Sequence, residues 1–175
     1  GFANLPSVQL SKQLAAILPP DLDHYLFNHS GAETVDSAFR VANLYWKVKG
    51  TRKYKLISLN MGYHGTSRGV ATATNLNRAI IEEMPASPGH IHIPNYYCYR
   101  CAFNLTYPGC GVQCAKFLDY VIENEGEDSV AAFIAEPEQG AAGFIAPPPE
   151  YFPMVQEICR KRNVLFIADE VMTGF

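Results

Sequence analysis

The sequence predicts an α/β fold, a mostly parallel sheet flanked by helices, and three observations carry that reading. Val164-Leu-Phe-Ile-Ala168 and Val130-Ala-Ala-Phe-Ile-Ala135 are continuous apolar runs, partly β-branched, of the kind that forms strands buried on both faces. Both run directly into acids, Asp169-Glu170 and Glu136, which would stand in the crevice at the carboxyl ends of an open parallel sheet. Strand-like and helix-like segments also alternate with short connections, the rhythm of β-α-β units. Acids that only cap a following helix or flank a turn would leave the same local trace.

Taken in order, Val8 to Leu18 places Val8, Leu10, Leu14, Ala15, Ile17 and Leu18 at helical spacing and is stopped by Pro19-Pro20. Tyr25-Leu26-Phe27 is a short strand-like run. Ser30-Gly-Ala-Glu33 has the form of a capping box, with Ser30 as N-cap and Glu33 reaching back to it. Behind it Val35, Ala38, Phe39, Ala42, Tyr45 and Trp46 make one apolar helical stripe. A well-capped core helix explains all of this; the free N–H groups and positive dipole end at such a start also suit a phosphate. Tyr54 to Asn60 reads as the next strand, and Met61 to Thr66 as the loop after it, where Gly62 and Gly65 allow close backbone approach. Thr66 to Ile81 is mixed and helix-like, and Pro85 to Pro94 is a Pro/Gly-rich loop. Val112 to Glu125 is an amphipathic helix with Ala115, Leu118, Val121 and Ile122 on one side. Gly126 to Ser129 turns the chain into the strand that ends at Glu136. The loop from Pro137 to Pro149 and the helix Tyr151 to Lys161 then lead to the last strand.

Cysteine is concentrated in one place. Cys98 and Cys101, followed by Cys110 and Cys114, are paired as the ligands of a structural zinc site would be, but the pairs stand closer together than in common zinc ribbons. Unliganded thiols in a surface excursion at about residues 88–114 are the expected reading, with no metal. Cys159, on a helix, reads as a small core hydrophobe.

Three stretches carry a family likeness. Ile134-Ala-Glu-Pro-Glu-Gln-Gly-Ala-Ala-Gly143, Pro147-Pro-Pro-Glu-Tyr-Phe152 and Leu165-Phe-Ile-Ala-Asp-Glu-Val-Met-Thr-Gly-Phe175 resemble class III aminotransferases, pyridoxal-phosphate (PLP) enzymes of fold type I. Asn28-His-Ser-Gly-Ala-Glu33 and Gly62-Tyr-His-Gly65 match the same family in the same order, so the likeness covers roughly residues 10–175. It implies an incomplete large, cofactor-binding domain, the central fragment of a longer enzyme. It assigns the PLP phosphate to Ser30, Gly31 and Ala32, with His29 where relatives often have Asn and Ala32 where many have Ser. It assigns ring stacking to Tyr63, the opposite ring face to Val171, and the proton on the pyridine nitrogen to Asp169. It assigns support of Asp169 and of the 3-hydroxyl side of the ring to Glu136. His64 is expected as a supporting group or a contact to nearby backbone.

The resemblance also places the Schiff-base lysine beyond Phe175. Lys12, Lys47, Lys49, Lys53, Lys55, Lys116 and Lys161 do not match its position, so no catalytic residue is expected in this chain and the chain alone is not expected to transaminate. Relatives acting on ornithine, acetylornithine or γ-aminobutyrate carry Glu after the Gln-Gly pair; here Ala141 follows Gln139-Gly140 and Met172 replaces a Gln. Both changes resemble the branch that moves an amino group from an amine or ω-amino acid to a 2-oxo acid such as pyruvate. Other class III chemistry, a decarboxylase or an aminomutase, and a non-catalytic metal-binding or interaction module are the alternatives. A homodimer is implied for the intact protein.

Composition bounds the remaining choices. In 175 residues, 48% are hydrophobic and 18% charged, as in a globular domain able to bury a core. A net charge of −3 gives no basic surface for nucleic acid. No apolar run approaches the ~20 residues of a membrane span and no leader opens the chain, so a cytoplasmic protein without a membrane partner is expected.

Overall fold

Four short runs with apolar, β-branched character pair into one sheet in a computed structural model that describes residues 4–76 and 87–174. They are β1 (Lys55–Leu59), β2 (His90–Ile93), β3 (Val130–Ala135) and β4 (Leu165–Ala168), in the order β2-β1-β3-β4. Every pairing is parallel, as the sequence predicts. Three helices belong with the sheet, α2 (Gly31–Val48), α3 (Gln113–Glu125) and α4 (Tyr151–Lys161).

The sheet is covered on both faces. Val35, Phe39, Ala42 and Trp46 of α2 pack on Leu56, Ala131, Ala132 and Ile134. On the other side Ala115, Leu118 and Ile122 of α3, with Tyr151, Val155 and Cys159 of α4, pack on Ile57, Leu59, Val130 and Phe133. Each large apolar side chain fully buried here contributes about 1.5–3 kcal/mol. Arg162, just after α4, joins the two helices by ion-pairing with Asp119 at 2.6 Å and Glu123 at 3.0 Å, and holds the Asp119 carboxyl below its ordinary range.

One irregularity breaks the expected alternation. Lys55 pairs with Val130 but Leu56 pairs with Ala132, so the β1 ladder skips Ala131 and two successive residues face α2. The Trp46 indole Nε1–H donates to the Ala131 carbonyl at 2.8 Å, giving that buried oxygen a partner. Lys53 Nζ lies 4.3 Å from the Trp46 ring centroid and donates to the Asn163 carbonyl at 2.6 Å. Burial lowers the Lys53 pKa.

The structure corrects several expectations. The Pro85–Pro94 stretch is not all loop, because His90–Ile93 forms β2. At the sheet edge it needs only one partner, β1, and Pro94 ends it by removing the next ladder donor. The strand expected at Tyr25–Phe27 does not form, and among the described residues no strand pairs with it. Of the helix-like Thr66–Ile81 stretch, only a 3₁₀ turn at Ala71–Ala73 forms up to residue 76; the rest lies outside the described residues. The last strand is not buried on both faces. β4 lies at the sheet edge, so its residues are half-buried and Ala168 is exposed.

Two compact units make up the chain, Gly1–Ser30 and Gly31–Phe175. The first holds α1 (Leu5–Ala15), which begins three residues before the expected helix because Asn4 Oδ1 caps the Ser7 N–H at 2.9 Å and Pro6 fits the first turn. None of its residues is buried, so the predicted apolar stripe does not act as a core face within the unit. No helix among the described residues is long and apolar enough to cross a membrane.

Two stability outcomes follow. Trp46→Phe removes the buried hydrogen bond from the indole to the Ala131 carbonyl, and the urea midpoint should fall by an amount worth about 0.5–1.5 kcal/mol, with the denaturant slope unchanged. His90 is held down to about 4, mainly by burial and then by His92 and His64, and its ring meets Phe39 edge-on at 5.6 Å. Because the unfolded chain binds this proton near 6.5 and the folded chain does not, stability is full above 6.5 and should decline as pH falls toward 4. Allowing for partial exposure, the loss is about 1–3 kcal/mol, and His90→Phe should flatten that slope in pH-dependent unfolding.

Candidate active site

The carboxyl ends of β1, β3 and β4 deliver three polar groups to one place because parallel strands all point the same way. After β1 the chain turns through Met61 and Gly62 to Tyr63 and His64; β3 ends in Glu136 and β4 in Asp169. Asp169 is buried, and its Oδ2 lies 2.7 Å from His64 Nδ1 while its Oδ1 accepts the Val171 N–H at 3.3 Å. Of the two ring nitrogens, Nδ1 is the one placed to donate to that carboxylate. The His64 side chain has no exposed surface, and its Nε2 has no hydrogen-bond partner among the described residues.

His64 is fixed from its backbone. Its N–H donates at 2.9 Å to the hydroxyl of the fully buried Thr74, which in turn donates to the Gly65 carbonyl at 2.8 Å. Gly65 has φ +117°, and a Cβ there would stand 2.9 Å from the Ala32 Cβ. Glycine is therefore needed twice over, for the dihedral and for contact with the first turn of α2.

Glu136 anchors two loops at the site. Its Oε1 accepts the Tyr63 N–H at 2.9 Å and its Oε2 the Gly140 N–H at 3.2 Å, so one carboxylate joins the loops that follow β1 and β3. Burial pushes its pKa up, against the lowering effect of those two amides and of His64.

Tyr63, Glu136, Gly140, Ala141, Asp169, Val171 and Met172 enclose a cavity of about 260 Å³. Tyr63 and Val171 expose side-chain surface to it, and a Cβ on Gly31 would lie 3.5 Å from Val171 Cγ2, which brings the first residue of α2 to the same place. Ser30 precedes Gly31 in the chain and is exposed. Met172 packs on the bare Gly140 Cα, where a Cβ would meet its Cγ at 2.8 Å. No lysine lines the cavity among the described residues: Lys53 is bonded as above and Lys55 pairs with Glu125 at 2.9 Å.

The structure thus brings Gly31, Ala32, Tyr63, His64, Glu136, Asp169 and Val171 together and leaves the cysteines elsewhere. Cys98, Cys101, Cys110 and Cys114 line a separate cavity of about 20 Å³ as free thiols. Among the described residues no three His, Cys, Asp or Glu side chains are grouped so as to hold a metal ion. Cys159 is buried in the core, and burial drives its thiol up to about 12. Sequence reasoning missed Thr74, Gln139 and Asn95. All three are buried polar residues, for which local sequence gives no signal except that each stands just beyond a regular element or strand end.

A buried acid–imidazole pair stands at parallel strand ends with an aromatic wall and a helix N-terminus beside it, and the fold that carries it is shared with PLP-dependent transaminases of fold type I. A crystal structure of a thermostable (S)-enantioselective ω-transaminase from Thermomicrobium roseum superposes with a TM-score of 0.92 at 38% identity, over 99% of this chain and 39% of that one. A PLP-bound amine transaminase from an uncultivated Pseudomonas species gives a TM-score of 0.93 at 30% identity, over 99% and 40%. The putrescine–pyruvate aminotransferase of Pseudomonas aeruginosa is 37% identical over 174 residues, 99% of this chain and 38% of its own length. The family description "Aminotransferase class-III" matches residues 1–175, and the chain belongs to that family. It spans about two-fifths of the length of these relatives.

The clamp at Glu136 is testable. Glu136→Gln turns one acceptor into an NH₂ group facing a backbone N–H. Calorimetric melting should show a loss of about 1–3 kcal/mol; an unchanged melting temperature would rule the clamp out.

Proposed function

We propose that this chain is part of the large, cofactor-binding domain of an aminotransferase that passes an amino group from an amine or ω-amino acid to a 2-oxo acid such as pyruvate. The observation that carries the reading is the buried Asp169 carboxylate, oriented by His64 and placed on a cavity between Tyr63 and Val171. These residues fit PLP. Asp169 presents a carboxylate that an imidazole and a backbone amide already orient, and Tyr63 and Val171 give the cavity an aromatic and an aliphatic wall.

PLP supplies an electron sink when bound, and a proton on its ring nitrogen strengthens that sink. Asp169 would hold that proton on the ring nitrogen through a hydrogen bond to its carboxylate, with the His64 Nδ1 contact keeping the carboxylate aligned. Tyr63 and Val171 would fix the ring plane, with stacking on Tyr63 worth about 1 kcal/mol. The N–H groups of Gly31 and Ala32 at the start of α2 would receive the phosphate, with Ser30 assigned beside them by sequence. Glu136 would keep Tyr63 at its place through the loop amide it accepts. Ala141 and Met172 line the same cavity and support an amine or ω-amino-acid substrate, because neither adds a charge to it. A Schiff-base lysine outside this chain, a homodimer and a cytoplasmic location complete the reading.

The test uses the full-length protein supplied with PLP, pyruvate and either putrescine or β-alanine. Alanine should accumulate, and Asp169→Asn should lower kcat/KM by more than about 100-fold while leaving the far-ultraviolet circular dichroism unchanged. Release of carbon dioxide in place of alanine, or full activity in the variant, would count against the proposal.

A further inference from the structure

Gln139 lies beneath the candidate site without lining its cavity, and it is fully buried. A buried primary amide is costly unless its donors and acceptor are used. Here the Oε1 accepts the Asn95 Nδ2–H at 2.7 Å, the Nε2 donates to the Asn60 carbonyl at 3.0 Å, and the backbone N–H and C=O both bond Ile145, at 3.0 and 3.2 Å. One side chain therefore joins the segments that leave β1, β2 and β3.

What those bonds hold is the loop that carries Tyr63. Asn60 is the last residue before the turn; its N–H donates to the Ile93 carbonyl at 2.8 Å and its side chain accepts from Asn75 at 2.9 Å. Asn75 in turn donates its N–H to the Gly62 carbonyl at 2.8 Å and accepts the Met61 N–H at 3.1 Å. The Gln139 amide also lies directly under Gly62, where a Cβ would approach its Nε2 to 3.7 Å. Glu136, three residues before Gln139, grips the Tyr63 N–H from the other side. With Asn60 fixed below and the Tyr63 amide fixed above, little freedom remains in the position of the ring.

We propose that Gln139 is a positioning residue for the cofactor ring: it sets the height of Tyr63 over the cavity by holding the Asn60 carbonyl. This deepens the PLP reading and rests on it. Asn95 assists by fixing which end of the amide faces Asn60.

The experiment uses full-length apoprotein with Gln139→Leu, Tyr63→Ala and the double variant. Three quantities are read: PLP affinity by fluorescence titration, visible circular dichroism of the bound cofactor, and hydrogen exchange at the Tyr63 amide. Gln139→Leu should weaken PLP binding about tenfold, reduce the visible dichroism and speed exchange at Tyr63. The double variant should bind PLP within about twofold of Tyr63→Ala alone, because both changes remove the same contact. If Gln139→Leu does not fold, Asn95→Ala, which leaves the bond to Asn60, should give the same pattern at smaller size. A lowered melting temperature with affinity, dichroism and exchange unchanged overturns the proposal, and so do losses that multiply in the double variant. If the wild-type protein takes up no PLP, the function reading fails, while exchange at Tyr63 still decides whether Gln139 holds the loop.

Discussion

Asp169 is a carboxylate taken out of water with no lysine or arginine beside it among the described residues, and the architecture around the site answers to that. An isolated buried charge is costly, so its lone pairs must be occupied. The His64 ring and the Val171 amide occupy them, and each brings further requirements. His64 reaches Asp169 only because Thr74 pins its backbone and Gly65 lets the loop lie against Ala32. Val171 is placed by the turn that follows β4. A single acid thereby draws together the ends of two strands, a helix start and a 3₁₀ turn.

Legibility in the sequence followed the range of the interactions. Strands β3 and β4 were readable because continuous apolar runs ending in acids are a local pattern, and Glu136 and Asp169 fell where that pattern placed them. Strand β2 was not readable: four residues alternating His and Ile between prolines carry little periodic signal, and only the open edge of β1 makes them a strand. The skipped residue at Ala131 was likewise invisible, because the indole that bonds its carbonyl comes from Trp46, 85 positions away. Tyr63 and Val171 came from the family likeness. The Glu136 clamp on two backbone amides did not, since residue type says nothing about which N–H groups will be near.

The cysteine-rich stretch shows the opposite error risk. The pairing of the cysteines resembles a zinc site while the short gap between the pairs favours unliganded thiols, and the folded chain gathers the four thiols on a cavity of about 20 Å³. Paired cysteines report that a loop returns on itself; ligation needs the sulfurs to converge at bonding distance as well. The shared wall of this cavity with Asn95, which also bonds Gln139, ties the excursion physically to the underside of the site.

The seat of Met172 on Gly140 has a consequence for the shape of the cavity. Two loops meet there through one flexible thioether resting on a residue with no side chain. A single added methyl at position 140 would lift Met172 from its seat and into the space the cavity now occupies. Because Gly140 and Met172 both line the cavity, a change at position 140 would reshape that space while the buried acid and its imidazole stay untouched.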